Sequence, residues 1–421
     1  MKLKKLSTLA PALVLSSAAL LNILVPQLAH ATPVTLYWCN TASSNFNTAS
    51  NWNTNSSCSG GTNEVPAAGD NLVFDATNLT AAATIDDDIS GLSVGSITFQ
   101  GSNGSGYYYT IASTEGNTLT VTGGITQSSA DFANIELSLT LSGTQSITNT
   151  SIAGLTIGDS SGTTPTTLSI GTSTITMVGN ATCAATNIYS SLSGSGVIND
   201  DYATGGMSLN TDSPSFTGTI NVNDDAQLVS NSGQALGSSA ATTVVTSGAS
   251  LALGYSANTS FPENISLDGT GPSNIGTIIT QAPQPMACGA GGGSGNSGTT
   301  YTATLTGTVT LLSDATIFTN QGYNLAVDGP LTGNFTLTAA PNSAGTLTID
   351  SSNNTSNTPN TTTDSSSASA PKTPDTGVAL ASAHPIVTLG IASLSAFFIA
   401  GLAYYNNHGF SLARTKTKHT K

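Results

Sequence analysis

Apolar residues alternate with threonine, serine and asparagine along most of this chain. Residues 137–141 read Leu-Ser-Leu-Thr-Leu and residues 347–349 read Leu-Thr-Ile, and glycine, asparagine and aspartate separate such segments. A period of two residues is typical of β-strands, because successive side chains of a strand point to opposite faces of the sheet. Long stretches with helical spacing are absent from residues 32–350. The pattern therefore predicts an all-β body.

Prominent leucines recur at intervals close to twenty residues. The interval is 20 residues from Leu119 to Leu139 and from Leu305 to Leu325, and 22 residues from Leu325 to Leu347. This length suits three short strands and three turns, which predicts a right-handed parallel β-helix, or β-solenoid. Each turn of such a coil buries its inner side chains only by stacking on its neighbours. The alternative is an array of two-sheet sandwiches, whose repeat would be nearer ~100 residues.

One interval is much longer than the others and predicts a loop. From Leu139 to Leu168 the chain advances by 29 residues. A coil with turns of about twenty residues has no room for the surplus inside its sheets. We therefore expect a loop to project from the solenoid between these two leucines.

The body of the chain lacks basic side chains. Between Thr32 and Pro371 there is no lysine, arginine or histidine, although the protein has 22 acidic residues. Binding to nucleic acid or to anionic lipid requires clustered lysine and arginine, so we expect neither as a partner of the body. The serine–histidine, cysteine–histidine and serine–lysine pairs of nucleophilic enzymes are excluded for the same reason. We therefore do not expect an enzyme.

Residues 1–31 have the layout of a secretory signal peptide. Three lysines among the first five residues precede a mostly apolar run over 6–25, and Ala29-His30-Ala31 offers small residues at the positions that signal peptidase reads. Cleavage is expected before Thr32. A retained N-terminal membrane helix is the alternative, which the cleavage pattern disfavours.

Residues 378–421 have the layout of a membrane anchor. The run 386–405 carries no charge over 20 residues, and a helix of that length spans roughly 30 Å, the thickness of a bilayer core. Arg414 and three lysines follow the run, which predicts a cytoplasmic tail. The five residues before this segment are Thr373, Pro374, Asp375, Thr376 and Gly377.

This pentapeptide resembles the Leu-Pro-x-Thr-Gly sorting signal of Gram-positive surface proteins, and the order of pentapeptide, apolar span and basic tail is also that of the family. The resemblance implies that a sortase cuts between Thr376 and Gly377 and joins the Thr376 carboxyl group to peptidoglycan. Thr373 departs from the family, which has leucine there. A single-pass anchor that is never cut is the alternative. Either way we expect the body at the cell surface.

A second resemblance concerns the body. Residues 215–222 read Ser-Phe-Thr-Gly-Thr-Ile-Asn-Val and residues 235–238 read Ala-Leu-Gly-Ser. Together with their surroundings in 192–253, they are similar to the autotransporter-associated β-strand repeat, which implies a β-solenoid. Residues 32–101 contain both tryptophans and resemble the region that opens such solenoids. The interpretation is an N-terminal capping module at 32–101, a β-solenoid at 102–350, and a disordered stalk rich in serine, threonine and asparagine at 351–372.

Four cysteines in an exported chain predict disulfides. They are Cys39, Cys58, Cys183 and Cys288. Cys39 and Cys58 are the natural local pair, which leaves Cys183 with Cys288, although three pairings are formally open. A zinc site is disfavoured, because the body offers no histidine and no close pair of cysteines.

Aspartate clusters are the remaining candidates for chemistry. They are Asp86 and Asp88, Asp200 and Asp201, and Asp224 and Asp225. In a strand, Asp86 and Asp88 would face the same way about 6.6 Å apart, near the low end for an inverting glycosidase. Aspartates between strand patterns are also typical of turns and of weak Ca²⁺ sites, and this interpretation is favoured. No other cofactor is expected.

The preferred hypothesis is a cell-wall-anchored surface protein that displays a β-solenoid as an adhesin or a structural coat. Its partners would be a sortase, peptidoglycan, the membrane through the C-terminal helix, and a surface glycan or protein as ligand. Tyr107-Tyr108-Tyr109 offers either a stacking surface for sugars or a strand with rings alternately buried and exposed. The alternative function is a surface glycoside hydrolase that uses paired aspartates.

Overall fold

The computed structural model describes residues 32–179, 185–223, 225–284, 298–350 and 352. The predicted signal peptide, stalk, sorting motif, membrane span and basic tail lie outside these residues, apart from Ser352 of the stalk. Cys183, Asp224 and Cys288 also lie outside them. Within the described part of the chain, no helix is long and apolar enough to cross a membrane.

The described residues form 35 strands and three short 3₁₀ helices. The helices are Ala49–Asn51, Ala76–Asn78 and Pro272–Asn274. The first strands are β1 (Thr35–Trp38), β2 (Ser44–Asn45), β3 (Trp52–Asn53), β4 (Asn71–Asp75), β5 (Ala83–Asp86), β6 (Ser93–Val94), β7 (Ser96–Gln100), β8 (Tyr109–Ala112), β9 (Thr118–Val121), β10 (Ile125–Gln127), β11 (Ala133–Ile135) and β12 (Ser138–Leu141). The middle strands are β13 (Gln145–Asn149), β14 (Leu155–Ile157), β15 (Thr167–Gly171), β16 (Thr174–Gly179), β17 (Ala185–Ile188), β18 (Ser191–Gly194), β19 (Val197–Tyr202), β20 (Gly206–Leu209), β21 (Ser215–Phe216), β22 (Thr219–Val222), β23 (Gln227–Ser230) and β24 (Thr242–Val245). The last strands are β25 (Ser250–Gly254), β26 (Thr259–Phe261), β27 (Asn264–Leu267), β28 (Ile278–Gln281), β29 (Tyr301–Leu305), β30 (Val309–Leu311), β31 (Ala315–Thr319), β32 (Tyr323–Val327), β33 (Leu331–Thr332), β34 (Leu337–Ala339) and β35 (Leu347–Ile349).

These strands stack into four sheets that wind as one coil. Sheet I has 13 strands, from β1 and β3 at one edge to β33 at the other, and sheet II has 12 strands, from β2 to β34. Each turn supplies one strand to sheet I and the next strand to sheet II. The third side is the six-stranded sheet III, from β6 to β21, followed by the four-stranded sheet IV, from β26 to β35. The chain is therefore a parallel β-solenoid of about 11 turns, which confirms the predicted all-β solenoid. Handedness stays a prediction.

The core is a set of stacked side-chain columns. In sheet I, residues from ten successive turns pair directly with one another and form one inward-facing column, which is Leu72, Ile97, Ile125, Ile147, Met177, Asp200, Val222, Val245, Leu267 and Leu311. All ten side chains are buried. Burial of such columns is the main stabilising contribution of a solenoid, because no turn has a core of its own. Asp200 is the one acid in this column.

The leucine intervals predict the turn length well and the register less well. Leu119 pairs with Leu139, and Leu325 pairs with Leu347, as expected for residues one turn apart. Leu305 pairs with Val327 instead of Leu325, so that turn has 22 residues, which agrees with turns of twenty-odd residues but shifts the pairing by two. Alternation explains the shift, since a displacement of two residues keeps the same face inward.

The coil begins before the predicted boundary at residue 101. Strands β1, β4 and β7 lie within the predicted capping module, and they pair in parallel with each other and with β10. The solenoid therefore starts at Thr35 and not at residue 102. Its first turn is aromatic: Trp52 is fully buried, its Nε1 donates a 3.0 Å hydrogen bond to the carbonyl oxygen of Phe46, and its ring meets that of Trp38 edge-on at 4.9 Å.

A disulfide and one antiparallel strand complete this edge of the coil. Cys39 and Cys58 are joined by a disulfide, which is the local pairing that the sequence favours. Strand β3 pairs with β1 antiparallel, the only antiparallel pairing among the described strands. The antiparallel strand occupies the edge on which a further parallel turn would otherwise stack.

The third side of the coil is interrupted between sheets III and IV. Residues 231–241 connect β23 to β24 without a strand. Ala235 and Leu236, from the Ala-Leu-Gly-Ser motif, are fully buried there and fill the place of strand residues. Gly237 follows with φ of 121°, and a Cβ at this position would meet the carbonyl oxygen of Phe216 at 2.8 Å. The repeat signature therefore forms a tight turn that only glycine fits.

Candidate ligand-binding surfaces

A nine-residue loop projects from the coil between β14 and β15, at residues 158–166. The equivalent link from sheet II to sheet III has only two residues in the turn before, 136–137, and in the turn after, 189–190. Leu139 and Leu168 pair across this surplus, as neighbours in sheet III. The loop predicted from the 29-residue interval is therefore confirmed.

Asp159 organises this loop from within. One carboxylate oxygen accepts hydrogen bonds from the backbone N–H and the hydroxyl of Ser161, at 2.8 and 2.6 Å. The other accepts from the hydroxyl of Thr163 at 2.7 Å and the backbone N–H of Thr164 at 2.8 Å. These hydrogen bonds hold the pKa of Asp159 well below its usual range, with Ser161 the largest cause. The loop thus has a defined shape that does not depend on a ligand.

The loop overhangs the two following turns and leaves a groove of about 420 Å³. The groove combines one aromatic ring with polar groups, and Asp159 is the one charged residue among those that line it. Residues that line it include Ser160, Thr164, Pro165, Tyr189, Asn210 and Thr211.

Hydrogen bonds between successive turns connect the residues at the floor of the groove. The Thr211 hydroxyl donates a 2.7 Å hydrogen bond to the carbonyl oxygen of Tyr189. Asn231, one turn further along, donates from its amide to the Asn210 side-chain oxygen at 2.6 Å. Such side-chain ladders fix the spacing of successive turns, so the floor is rigid compared with an ordinary surface loop.

Several hydroxyls of the groove remain available. Those of Ser160, Thr164 and Tyr189 make no hydrogen bond within the described part of the chain, and the Tyr189 ring is half-buried. Burial raises the pKa of Tyr189, so its hydroxyl stays protonated and can donate. Burial, together with the nearby charge of Asp159, also raises the pKa of Glu136 in the adjoining turn. The surroundings of the groove are therefore negative in potential.

A second surface is apolar and lies on the links from sheet I to sheet II. Tyr107, Phe132 and Ile152 belong to three successive turns and are 37%, 55% and 72% exposed. The Tyr108 and Phe132 rings meet edge-on at 6.5 Å. Exposed apolar side chains that adjoin one another commonly mark interaction sites. Tyr109, by contrast, is buried in β8, so only part of the tyrosine triplet is on the surface.

The structure separates the first pair of candidate aspartates. Strand β5 ends at Asp86, whose carboxylate accepts two hydrogen bonds from Thr114 in the following turn, at 2.8 and 2.7 Å. Asp88 accepts from the preceding turn, at 2.8 Å from the Asn47 N–H and 3.2 Å from the Asn45 amide. The disfavoured alternative, in which both face the same way in one strand, does not hold, because the strand ends at Asp86 and the two carboxylates contact opposite neighbouring turns.

Asp200 and Asp201 do not form a pair of facing carboxylates either. Asp200 is completely buried in the core, and burial raises its pKa well above the usual range. Asp201, the next residue of the strand, is exposed and accepts a 2.6 Å hydrogen bond from the Asn223 amide. Asp225 lies in a turn with φ of 50°, and Asp224 is outside the described residues. Among the residues that the structure describes, no three histidine, cysteine or acidic side chains are grouped to hold a metal ion.

Sequence reasoning located the loop but missed the groove. Tyr189, Asn210 and Thr211 come from the two turns after it, and no local pattern distinguishes them. The only signal in the sequence was the long interval between Leu139 and Leu168. It predicts the position of a loop but not the residues that the loop covers.

The fold and its surfaces define a parallel β-solenoid with exposed polar and aromatic sites. No protein-family model, curated protein or solved structure matches the chain. The resemblances to sortase-anchored proteins and to autotransporter-type repeats therefore stay predictions from the residues quoted above.

Proposed function

We propose that this is a cell-surface protein that displays a β-solenoid as an adhesin or structural coat. The observation that supports it is the continuous parallel stack from β1 to β35, which gives long faces made of repeated neutral side chains. Solenoids use such extended surfaces for binding, since each added turn lengthens the face without a new core. The alternation of outward polar and inward apolar residues gives the sheets mostly polar outer faces, as a body displayed at a surface requires.

We further propose a binding or structural role and not catalysis. The carboxylates that a hydrolase would need are engaged elsewhere: Asp86 and Asp88 bond to opposite turns, Asp159 shapes its own loop, and Asp200 is in the core. An inverting glycosidase requires two carboxyl groups that face one another across a substrate. The facing pair of carboxyl groups that motivated the glycoside hydrolase hypothesis is therefore not formed by Asp86 and Asp88.

Export through residues 1–31 and attachment through residues 373–377 complete the proposal. A sortase would join the Thr376 carboxyl group to peptidoglycan, while residues 378–421 would hold the precursor in the membrane. The charge of the body supports an outside location with no nucleic-acid partner, because 32–371 offers no lysine, arginine or histidine.

Replacement of the residue at the cleavage point tests the anchoring. Thr376→Ala should move the protein from the fraction released by wall-digesting enzymes to the fraction extracted by detergent. Thr362→Ala, a threonine of the predicted stalk, is the matched control and should stay in the wall fraction. Wall attachment that survives Thr376→Ala would contradict the proposal, as would a protein found in the cytoplasm.

A further inference from the structure

We propose that the groove beneath loop 158–166 binds a neutral saccharide, with the ring of Tyr189 as its stacking platform. This inference deepens the proposed surface role by naming the class of ligand. It rests on the proposed function only in placing the ligand outside the cell. The groove itself is part of the folded body.

The composition of the groove suits a sugar. Sugars present flat C–H faces and edges crowded with hydroxyl groups, so a site for them needs a ring and several neutral hydrogen-bonding groups. Tyr189 supplies the half-buried ring, and the hydroxyls of Ser160, Thr164 and Tyr189 are available. A volume of about 420 Å³ is within the range of small-ligand pockets.

The charges around the groove favour an uncharged ligand. The body has no basic side chain between residues 32 and 371, so an anionic ligand would meet the negative groups Asp159 and Glu136 without a counter-charge. The same charges would attract a cationic ligand, but Asp159 offers it no direct contact, because each carboxylate oxygen already accepts two hydrogen bonds from the loop. A purely apolar ligand would leave the groove hydroxyls without partners. An uncharged polar ligand fits best.

The groove is preorganised for binding. Asp159 holds the loop through its own side chain and backbone contacts, and Thr211 ties the floor to the carbonyl oxygen of Tyr189. Because both walls are already ordered, binding does not incur the entropic cost of folding a loop around the ligand. A groove with prebuilt walls is suited to weak but specific recognition of one sugar unit in a longer chain, repeated over many protein copies on a surface.

Calorimetric titration of the full-length protein in detergent tests the proposal. The probes are cellohexaose, xylohexaose, maltohexaose and chitohexaose, with hexagalacturonate as the anionic comparison. At least one neutral probe should bind. Tyr189→Ala should weaken that binding at least tenfold, and Tyr189→Phe by about three- to tenfold, since it keeps the ring and loses one hydrogen bond. Tyr37→Ala, a half-buried tyrosine on sheet I, is the matched control and should bind normally.

Three results would overturn the proposal: no neutral probe binds, only hexagalacturonate binds, or Tyr189→Ala binds as well as the unaltered protein. Should Tyr189→Ala prove unfolded by circular dichroism, the double change Ser160→Ala with Thr164→Val carries the test, because both residues are exposed on the loop. Unchanged affinity in that variant would also overturn it. Failure here leaves the wall-fraction result untouched, so the two proposals fail separately.

Discussion

The hydroxyl of Thr211 donates a 2.7 Å hydrogen bond to the backbone carbonyl oxygen of Tyr189, one turn earlier in the coil. The bond joins two turns at the floor of the groove, where neither residue is fully buried. It is one of many contacts in which a side chain satisfies a group of the adjacent turn. Asn231 with Asn210, and Asp86 with Thr114, are others.

Thr211→Val should remove the hydrogen bond to the Tyr189 carbonyl oxygen with little change in side-chain volume. We expect the free energy of unfolding to fall by about 1 kcal/mol, the usual net contribution of a hydrogen bond. Denaturant titration followed by circular dichroism measures it. Thr118→Val in β9 is the control, since that side chain is exposed and makes no hydrogen bond among the described residues. Equal losses in both variants would mean that the Thr211 hydrogen bond contributes nothing measurable.

Gly329→Ala should destabilise the corner between sheets IV and I. A Cβ at Gly329 would overlap the backbone carbonyl oxygen of Gly307 one turn earlier, and backbone at a stacked corner cannot move aside alone. We expect a loss of about 1–3 kcal/mol, as for overpacked interiors.

Gly298→Ala is the control, because a Cβ there meets no atom of the described residues within 4 Å. It should leave the midpoint of thermal unfolding unchanged, whereas Gly329→Ala should lower it. A normal midpoint for Gly329→Ala would show that the corner adapts.

The buried carboxyl group of Glu263 should make stability depend on pH. Burial raises its pKa from 4.5 to about 8, and among the described residues it makes no hydrogen bond to another residue. Between these values the folded state holds a proton that the unfolded state has released, so the stability contributed by this group is fully present below pH 4.5 and declines as the pH rises towards about 8. The slope contributed by one such group approaches about 1.4 kcal/mol per pH unit.

Glu263→Gln removes this titration and should make the decline shallower between those two pH values. Unfolding midpoints at a series of pH values measure the slope. The control Glu115→Gln removes the same charge from an exposed position and should keep the slope of the unaltered protein. A Glu263→Gln variant with an unchanged slope would show that Glu263 does not titrate in this range.

Trypsin applied to intact cells should release the body as one piece that ends at Lys372. Trypsin cuts after lysine and arginine, and residues 32–371 contain neither. Mass spectrometry of the supernatant should find a single large fragment that begins at Thr32. Cells that release nothing would place the body inside, and a fragment with a different N-terminus would contradict the predicted signal cleavage.

The alternation of side chains was enough to predict the fold class. It specifies which residues face inward, because the pleat of a strand repeats every two residues, and Leu119 with Leu139 then gave the length of a turn. Register was harder, since a slip of two residues keeps the same faces, which is why Leu305 pairs with Val327. The predicted start of the coil at residue 102 failed because the tryptophans and the short strands of the first turns lack the later repeat signature.

The sequence patterns were therefore sufficient to predict the strands, the turn length and the position of the loop, because each of these depends on residues that are neighbours along the chain. Stacking decided the rest. It brought Tyr189 and Thr211 beneath a loop that begins about thirty residues before Tyr189, placed Asp200 in the core beside Met177, and drew Asp86 and Asp88 towards opposite turns. In a solenoid each side chain meets residues one full turn away, and the length of every corner and loop sets which residues those are. Which residues meet across turns is therefore decided by the folded coil and cannot be predicted from any one segment of the sequence.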